Sequence, residues 1–250
     1  MSKIIVESDV EEATLEILKE LGYKILHGPD ISPDGQNKER NSYSDIVLVE
    51  RLENAIHYLN PELTKEAIES VSKRITRLEG QELIDRNHTF HKYLTDGVDI
   101  EYRRTDGKVV GEHVILFDFE NPEKNEFIAV NQFTIIENGK ERRPDIILFV
   151  NGLPLVVLEL KNPAEETATI WTAYDQVLGT YVKEIPTLFN YNEIVVISDG
   201  IDARAGTFTS QKEWFVEWKT INYHEPKTKN GRDRTTYKRH VWQGHDFGSN

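Results

Sequence analysis

The sequence predicts an α/β domain with a helical N-terminal region packed on it, and three observations carry that expectation. Up to about residue 97 the apolar residues recur at helical spacing, as in VEEATLEILKEL and DIVLVERLENAIHYL. From there the period shortens, and VDIEYRR, VVGEHVILFDF and FIAVNQFTII look like strands. Then RPDIILFVNGLPLVVLELK, residues 143–161, presents two apolar runs joined by Asn151-Gly152, the strongest short hairpin signal in the chain.

Each element has a local reason. Ser8-Asp9-Val10-Glu11 has capping-box spacing and opens the first helix, which stops at Gly22. Residues 28–42 (GPDISPDGQNKERNS) are loop by composition. Helical patterns resume over DIVLVERLENAIHYL, and again after Asn60-Pro61, read as an N-cap followed by proline at the first helical position. Turns are expected at Asp106-Gly107 and Asn138-Gly139. After the hairpin come a helix over roughly residues 166–183, the strand EIVVIS, and a turn at Asp199-Gly200. The tail from about residue 224, HEPKTKNGRDRTTYKRH, is polar and basic and reads as a linker or solvated end. The expected organisation is an N-terminal helix and loop over 1–40, a main domain over 41–222 and a tail over 223–250.

Composition narrows the function. With 250 residues, 38% of them apolar, the chain can build one large domain or two small ones. It has no cysteine, which removes disulfides and thiolate chemistry. The longest apolar runs, Ile146–Val150 and Leu153–Leu158, are far too short to span a bilayer, and Met1-Ser2-Lys3 opens no signal peptide. These features predict a soluble, cytoplasmic protein with no membrane partner. The net charge of −13 argues against indiscriminate nucleic-acid binding. Residues 201–250 carry nine Lys/Arg against six Asp/Glu, so any DNA contact must be local, metal-assisted or supplied by a partner. No G-x-x-x-x-G-K-[ST] loop occurs, so this stretch holds no P-loop ATPase site.

The chemistry concentrates in the hairpin. Asp145 begins one limb, while Glu159 and Lys161 end the other. Two carboxylates and an ammonium gathered at one end of a buried hairpin are costly unless they act. Glu159 and Lys161 lie two apart and therefore project from one strand face. Hard Mg²⁺ takes oxygen ligands and is commonly held by one or two carboxylates together with phosphate, so the trio suits a metal-dependent phosphodiesterase. The motif halves are weak alone: [DE]-x-K occurs four times and Pro-Asp three times. Only Asp145 and Glu159/Lys161 are joined by a hairpin that can bring them together; the competing reading is strand-end charges facing water.

Parity decides whether they meet. A two-residue Asn151-Gly152 loop pairs 150 with 153 and hence 145 with 158, which turns Asp145 away from Glu159. A shared site needs one extra residue. The expected solution is a G1-type or equivalent bulge, with Gly152 in the left-handed region pairing 149 with 153 and 145 with 157.

The segment from Pro144-Asp145 to Glu159-Leu160-Lys161 resembles the PD-(D/E)xK nuclease signature. Its surroundings resemble the N-terminal nuclease region of the type I restriction enzyme R subunit. The supporting stretches are LNPEL (59–63), HKYLTDGVDIEY (91–102), NEFIAVNQFTI (125–135), RPDIILFVNGLPLVVLELKNP (143–163), IPTLFNYNEIVVISDG (185–200) and AGTFTSQKEWFVEWKTI (205–221). The resemblance implies a restriction endonuclease-like core, a mixed β-sheet flanked by helices, that cuts double-stranded DNA with Mg²⁺, Mn²⁺ being able to substitute. Asp145, Glu159 and Lys161 would be catalytic, and the first two would hold the metal. It also implies motor domains of the same subunit, which alone bind ATP, and methyltransferase and specificity subunits as partners. A free-standing nuclease and a non-catalytic docking module are the alternatives.

Related nucleases often draw a further carboxylate from a helix before the sheet, for which Glu50 and Glu53 are the candidates against a solvated-face reading. The family commonly carries Gln-x-x-x-Tyr after the catalytic hairpin, with a role in DNA handling. Here Gln176 and Tyr181 are one residue further apart. A π-bulge near Gly179, with an i to i+5 hydrogen bond in the stretch from Ala173 to Tyr181, would restore their common face. Asp118 and Gln132 are expected to make ordinary hydrogen bonds, His88 and His91 suggest no metal site, and Trp214 and Trp218 are expected in the core.

Overall fold

The computed structural model describes residues 7–104, 107–162 and 169–217. Seven strands form one mixed sheet in the order β1-β4-β7-β8-β9-β10-β11. They are β1 (Lys24–His27), β4 (Phe127–Asn131), β7 (Ile146–Val150), β8 (Leu153–Leu160), β9 (Ile194–Ser198), β10 (Ala203–Gly206) and β11 (Val216–Glu217). The pairs β1–β4 and β8–β9 are parallel and the other pairs antiparallel. Two small hairpins lie outside it: β2 (Val98–Arg103) with β3 (Val109–Val114), and β5 (Ile135–Glu137) with β6 (Lys140–Arg142). The chain is α/β.

Helices cover both faces of the sheet. On one side α1 (Glu7–Glu20) buries Val10 and Leu18 against Ala129, Ile146, Leu148, Leu158, Leu160 and Val196. On the other, α2 (Val49–Leu59), α3 (Lys65–Thr76) and α4 (Leu83–Asp96) pack Leu52, Ile56, Val71, Ile75 and Phe90 into a larger core with Ile147, Phe149, Val157 and Ile197. Alternation along β8 therefore sends Leu158 and Leu160 to the α1 side and Val157 and Glu159 to the larger core.

Several boundaries differ from the sequence reading, each for a tertiary reason. Residues Asp45–Leu48 of DIVLVERLENAIHYL are not helical: Leu48 N–H donates to the Gly152 carbonyl at 3.0 Å, so the buried Ile46, Val47 and Leu48 lead into the hairpin turn instead. Asn60 caps the C-terminus of α2 rather than opening a helix, and α3 is capped by Thr64, whose hydroxyl accepts from Ala67 N–H. FIAVNQFTII is split into β4 and β5 at Gln132, whose φ is 56°. Trp214 is 68% exposed rather than in the core, and Trp218 lies outside the described residues, as does the tail from residue 224. The short β1 and β11 carry no clear alternation, and β10, although its burial alternates, is only four residues of small and polar side chains; none of the three is expected from the sequence. Among the described residues no helix is long and apolar enough to cross a membrane.

Candidate active site

The β7–β8 hairpin turns through Asn151 and Gly152 with φ of 52° and 79°, both left-handed as a two-residue type I′ loop requires. Its first pairs, Val150 with Leu153 and Phe149 with Pro154, follow that loop, so the extra residue is not in the turn. It is Leu155. The next pair is Leu148 with Val156, followed by Ile147 with Val157 and Ile146 with Leu158. The parity shift needed for a shared site is therefore made by a bulge inside β8, beside Pro154, a residue that sheets tolerate at such irregularities. Extending the register one step sets Asp145 opposite Glu159 rather than Val157.

Asp145 is anchored by that arrangement. Its Oδ2 accepts the Leu160 N–H at 2.7 Å, and its carbonyl accepts the Gln132 N–H at 3.0 Å. Glu159 is fully buried where the alternation calls for an apolar side chain. Its Oε1 is 3.0 Å from the Lys161 ammonium and 3.5 Å from the Tyr181 hydroxyl, the latter at the outer limit of an O–H···O bond. Its Oε2 is buried with no hydrogen-bond partner among the described residues. Burial, then the neighbouring Asp145 charge, push the Glu159 carboxyl up to about 8; Lys161 and Tyr181 pull it back down. The Tyr181 hydroxyl is itself held well above its ordinary value, chiefly by burial and then by Glu159.

Tyr181 comes from the helical segment after the hairpin. It begins as α5 (Ile170–Tyr174), passes into a π-helix over Asp175–Tyr181, and ends as α6 (Val182–Glu184) and α7 (Pro186–Phe189). The expected distortion is present and longer than a single bulge. It brings Gln176 Nε2 to 2.6 Å from the Tyr181 hydroxyl, so the hydrogen-bonded chain runs Gln176, Tyr181, Glu159, Lys161.

A buried carboxylate with an orphaned oxygen, a second carboxylate opposite it and an ammonium beside it are a donor set for a hard cation and a phosphate. Residues 4–214 match the type I restriction enzyme R protein N terminus. The chain belongs to that family. It is 44% identical over 217 residues to the "Type I restriction enzyme HindI endonuclease subunit" of Haemophilus influenzae, covering 86% of this chain and 20% of that protein. It is 37% identical over 215 residues to the "Putative type I restriction enzyme MjaIXP endonuclease subunit" of Methanocaldococcus jannaschii, covering 85% and 20%. The chain thus spans about one fifth of the length of these curated relatives.

In this R-protein N terminus Glu50 and Glu53 do not reach the acidic pair. They lie on α2, whose start is tied to the Gly152 turn, roughly 17 Å along β7 from Asp145. Among the described residues no group of three or more His, Asp or Glu is arranged to hold a metal. The helix carboxylate that does stand at the Asp145 end is Glu11 of α1. Its two oxygens accept from the Asn131 and Gln132 side-chain amides at 2.7 and 2.8 Å. Within the sequence Glu11 signalled only a capping box, because nothing local reports that Gln132 bends the strand toward it. The Asp118 carboxylate accepts from Asn121 N–H and Lys124 and organises its own loop, and His91 pairs with Glu193.

Proposed function

We propose that this chain is the endonuclease domain of a type I restriction R subunit, with a PD-(D/E)xK site that hydrolyses phosphodiester bonds of duplex DNA with Mg²⁺. The observation that carries the reading is Glu159: a buried carboxylate, unpartnered at Oε2, opposite Asp145 and in contact with Lys161. An orphaned buried acceptor costs about 1–3 kcal/mol, and at Glu159 that oxygen belongs to a carboxylate flanked by a second carboxylate and an ammonium.

Asp145 and Glu159 would hold the cation. When bound, a divalent cation neutralises charge on the scissile phosphate and makes a nearby water more acidic. The protein's own residues do the rest. The Leu160 N–H fixes the Asp145 carboxylate, and the Lys161 ammonium, paired with Glu159, would orient the attacking water and offset charge on the phosphate. Tyr181, steadied by Gln176, holds Glu159 Oε1 so that Oε2 faces the site. Motor domains of the same subunit, which would supply ATP-driven translocation, and methyltransferase and specificity subunits complete the proposed assembly.

The test is to place Asp145→Ala, Glu159→Ala or Lys161→Ala in the full R subunit of the assembled enzyme. DNA cleavage is expected to be lost in each while ATP hydrolysis continues, and the losses should be strongly non-additive because the residues act as a unit. Cleavage by Glu159→Ala at the wild-type rate would overturn the reading. Calorimetric binding of Mg²⁺ or Mn²⁺ that is lost in Glu159→Ala separates a nuclease from a docking module.

A further inference from the structure

The β5–β6 hairpin lies outside the main sheet, yet it is fastened on two sides. Toward the loop, Ile136 N–H donates to the Tyr43 carbonyl at 3.2 Å and the buried Arg40 donates to the Thr134 carbonyl at 2.7 Å. Toward the helical segment, Glu137 accepts from both the Thr187 N–H at 3.1 Å and its hydroxyl at 2.7 Å, and Arg142 pairs with Glu184. The sequence positions of these clamps are informative. Arg142 stands three residues before Asp145, and Glu184 stands three residues after Tyr181. The hairpin therefore joins the strand entry that carries one half of the site to the helix that carries the other.

That helix has little stiffness of its own. Residues Asp175–Tyr181 are π-helical, Val182–Glu184 make one α turn, and Ile185 leaves helical geometry at φ −130° and ψ 53° before the four-residue α7. π-helical turns persist where surroundings compensate for them. Val177 and Tyr181, with Ile185, Leu188 and Phe189 beyond them, are buried and fix the inner side, while the outward-facing Glu184 and Thr187 are tied to the hairpin. The Tyr181 hydroxyl is already 3.5 Å from Glu159 Oε1, so a displacement of roughly 1 Å there breaks the contact.

We propose that the β5–β6 hairpin is a brace that sets the approach of Tyr181 to Glu159, with Arg142 and Glu137 as positioning residues that do not touch the reacting phosphate. The proposal rests on the nuclease reading above. In the full-length R subunit within its assembled enzyme, Arg142→Glu and Glu184→Arg are each expected to lower the cleavage kcat by up to about tenfold, the full value of the Tyr181 contact. KM for DNA should change less than about twofold, since ground-state binding is untouched. The Arg142→Glu/Glu184→Arg double variant restores the pair with reversed charges and should recover most of the rate. Combined with Tyr181→Phe, Arg142→Glu should cost nothing further, because the contact it positions is already gone.

Glu159→Ala serves as the control that separates the two readings. If it cuts DNA normally, the nuclease assignment fails whatever the brace does. If it is inactive while Arg142→Glu cuts at the wild-type rate, or the double swap recovers nothing, the brace is wrong and the nuclease reading stands. Should Arg142→Glu not fold, Glu137→Gln provides a milder probe read by hydrogen exchange. Faster exchange of the amides over residues 182–187 supports the brace, and unchanged exchange overturns it.

Discussion

Gln176 donates through Nε2 to the Tyr181 hydroxyl at 2.6 Å although the two residues are five apart in the chain. On an α-helix that spacing leaves side chains about 140° apart. The seven-residue π-helix Asp175–Tyr181 removes the discrepancy, and Gly179, an intrinsically weak helix former, lies within it. Gln176→Ala and Tyr181→Phe should therefore each slow DNA cleavage about tenfold, the value of one neutral hydrogen bond. Together they should cost little more than Tyr181→Phe alone, because Gln176 reaches Glu159 only through Tyr181. Fully additive losses in single-turnover cleavage would show that the two residues act separately.

The hairpin turn is a separate test, of stability alone. Gly152 has φ of 79°, and a Cβ there would stand 2.5 Å from the Leu48 carbonyl oxygen and 2.8 Å from the Leu52 nitrogen. Both neighbours are backbone at the start of α2 and cannot swing aside. Gly152→Ala should destabilise the domain by about 1–3 kcal/mol through the unfavourable dihedral and the displaced helix. Urea denaturation of the two proteins measures this directly; a midpoint equal to wild type would mean that α2 is not seated on the turn.

Glu159 makes stability depend on pH in an unusual direction. Its carboxyl is raised from 4.5 to about 8 in the folded chain, first by burial and then by Asp145. Between those values the folded protein keeps a proton that the unfolded chain has lost. The associated stability is thus fully present below about 4.5 and disappears as pH rises toward about 8. In EDTA, wild type should lose stability across this window by up to a few kcal/mol, while Glu159→Gln, which cannot ionise, should show a flatter profile. Adding Mg²⁺ should stabilise wild type most at the alkaline end and leave the Gln variant unaffected. Parallel melting curves for the two proteins from pH 5.5 to 8.5 would refute this account.

What could be read from the sequence was local. Asn151-Gly152 announces a two-residue turn, and the run of charge at the ends of two apolar strands announces a site. The need for an odd residue between Asp145 and Glu159 follows from strand parity alone. Its location does not: Pro154 and Leu155 look like ordinary members of an apolar run, and the bulge forms where the Leu155 carbonyl accepts the Glu193 N–H at 2.8 Å, a partner nearly forty residues away. Helix boundaries failed for a similar reason. Asp45–Leu48 have helical spacing, but docking on Gly152 outweighs propensity. The position of Glu11 was equally illegible: Glu50 and Glu53 precede the sheet in sequence as Glu11 does, and only the packing of α1 brings Glu11 beside Asn131 and Gln132.

Arg143 offers the sharpest test of how so acidic a chain meets DNA. It is exposed, stands two residues before Asp145, and makes no ion pair or side-chain hydrogen bond among the described residues. Its neighbour Arg142 is committed to Glu184, so the two adjacent guanidinium groups have different work. With a net charge of −13, the surface as a whole repels a polyanion, and on the proposed nuclease reading a local cation beside the acidic pair would offset that repulsion. If Arg143 makes one phosphate contact, Arg143→Gln should weaken DNA binding equally for unrelated sequences, because a backbone contact carries no base information. The slope of log affinity against log salt should fall by about one unit, the signature of one fewer displaced counterion. At saturating DNA the cleavage rate should be nearly unchanged, in contrast to Glu159→Ala. An unaltered salt slope would exclude the phosphate contact, and a lost rate at saturation would move Arg143 from binding into the chemistry itself.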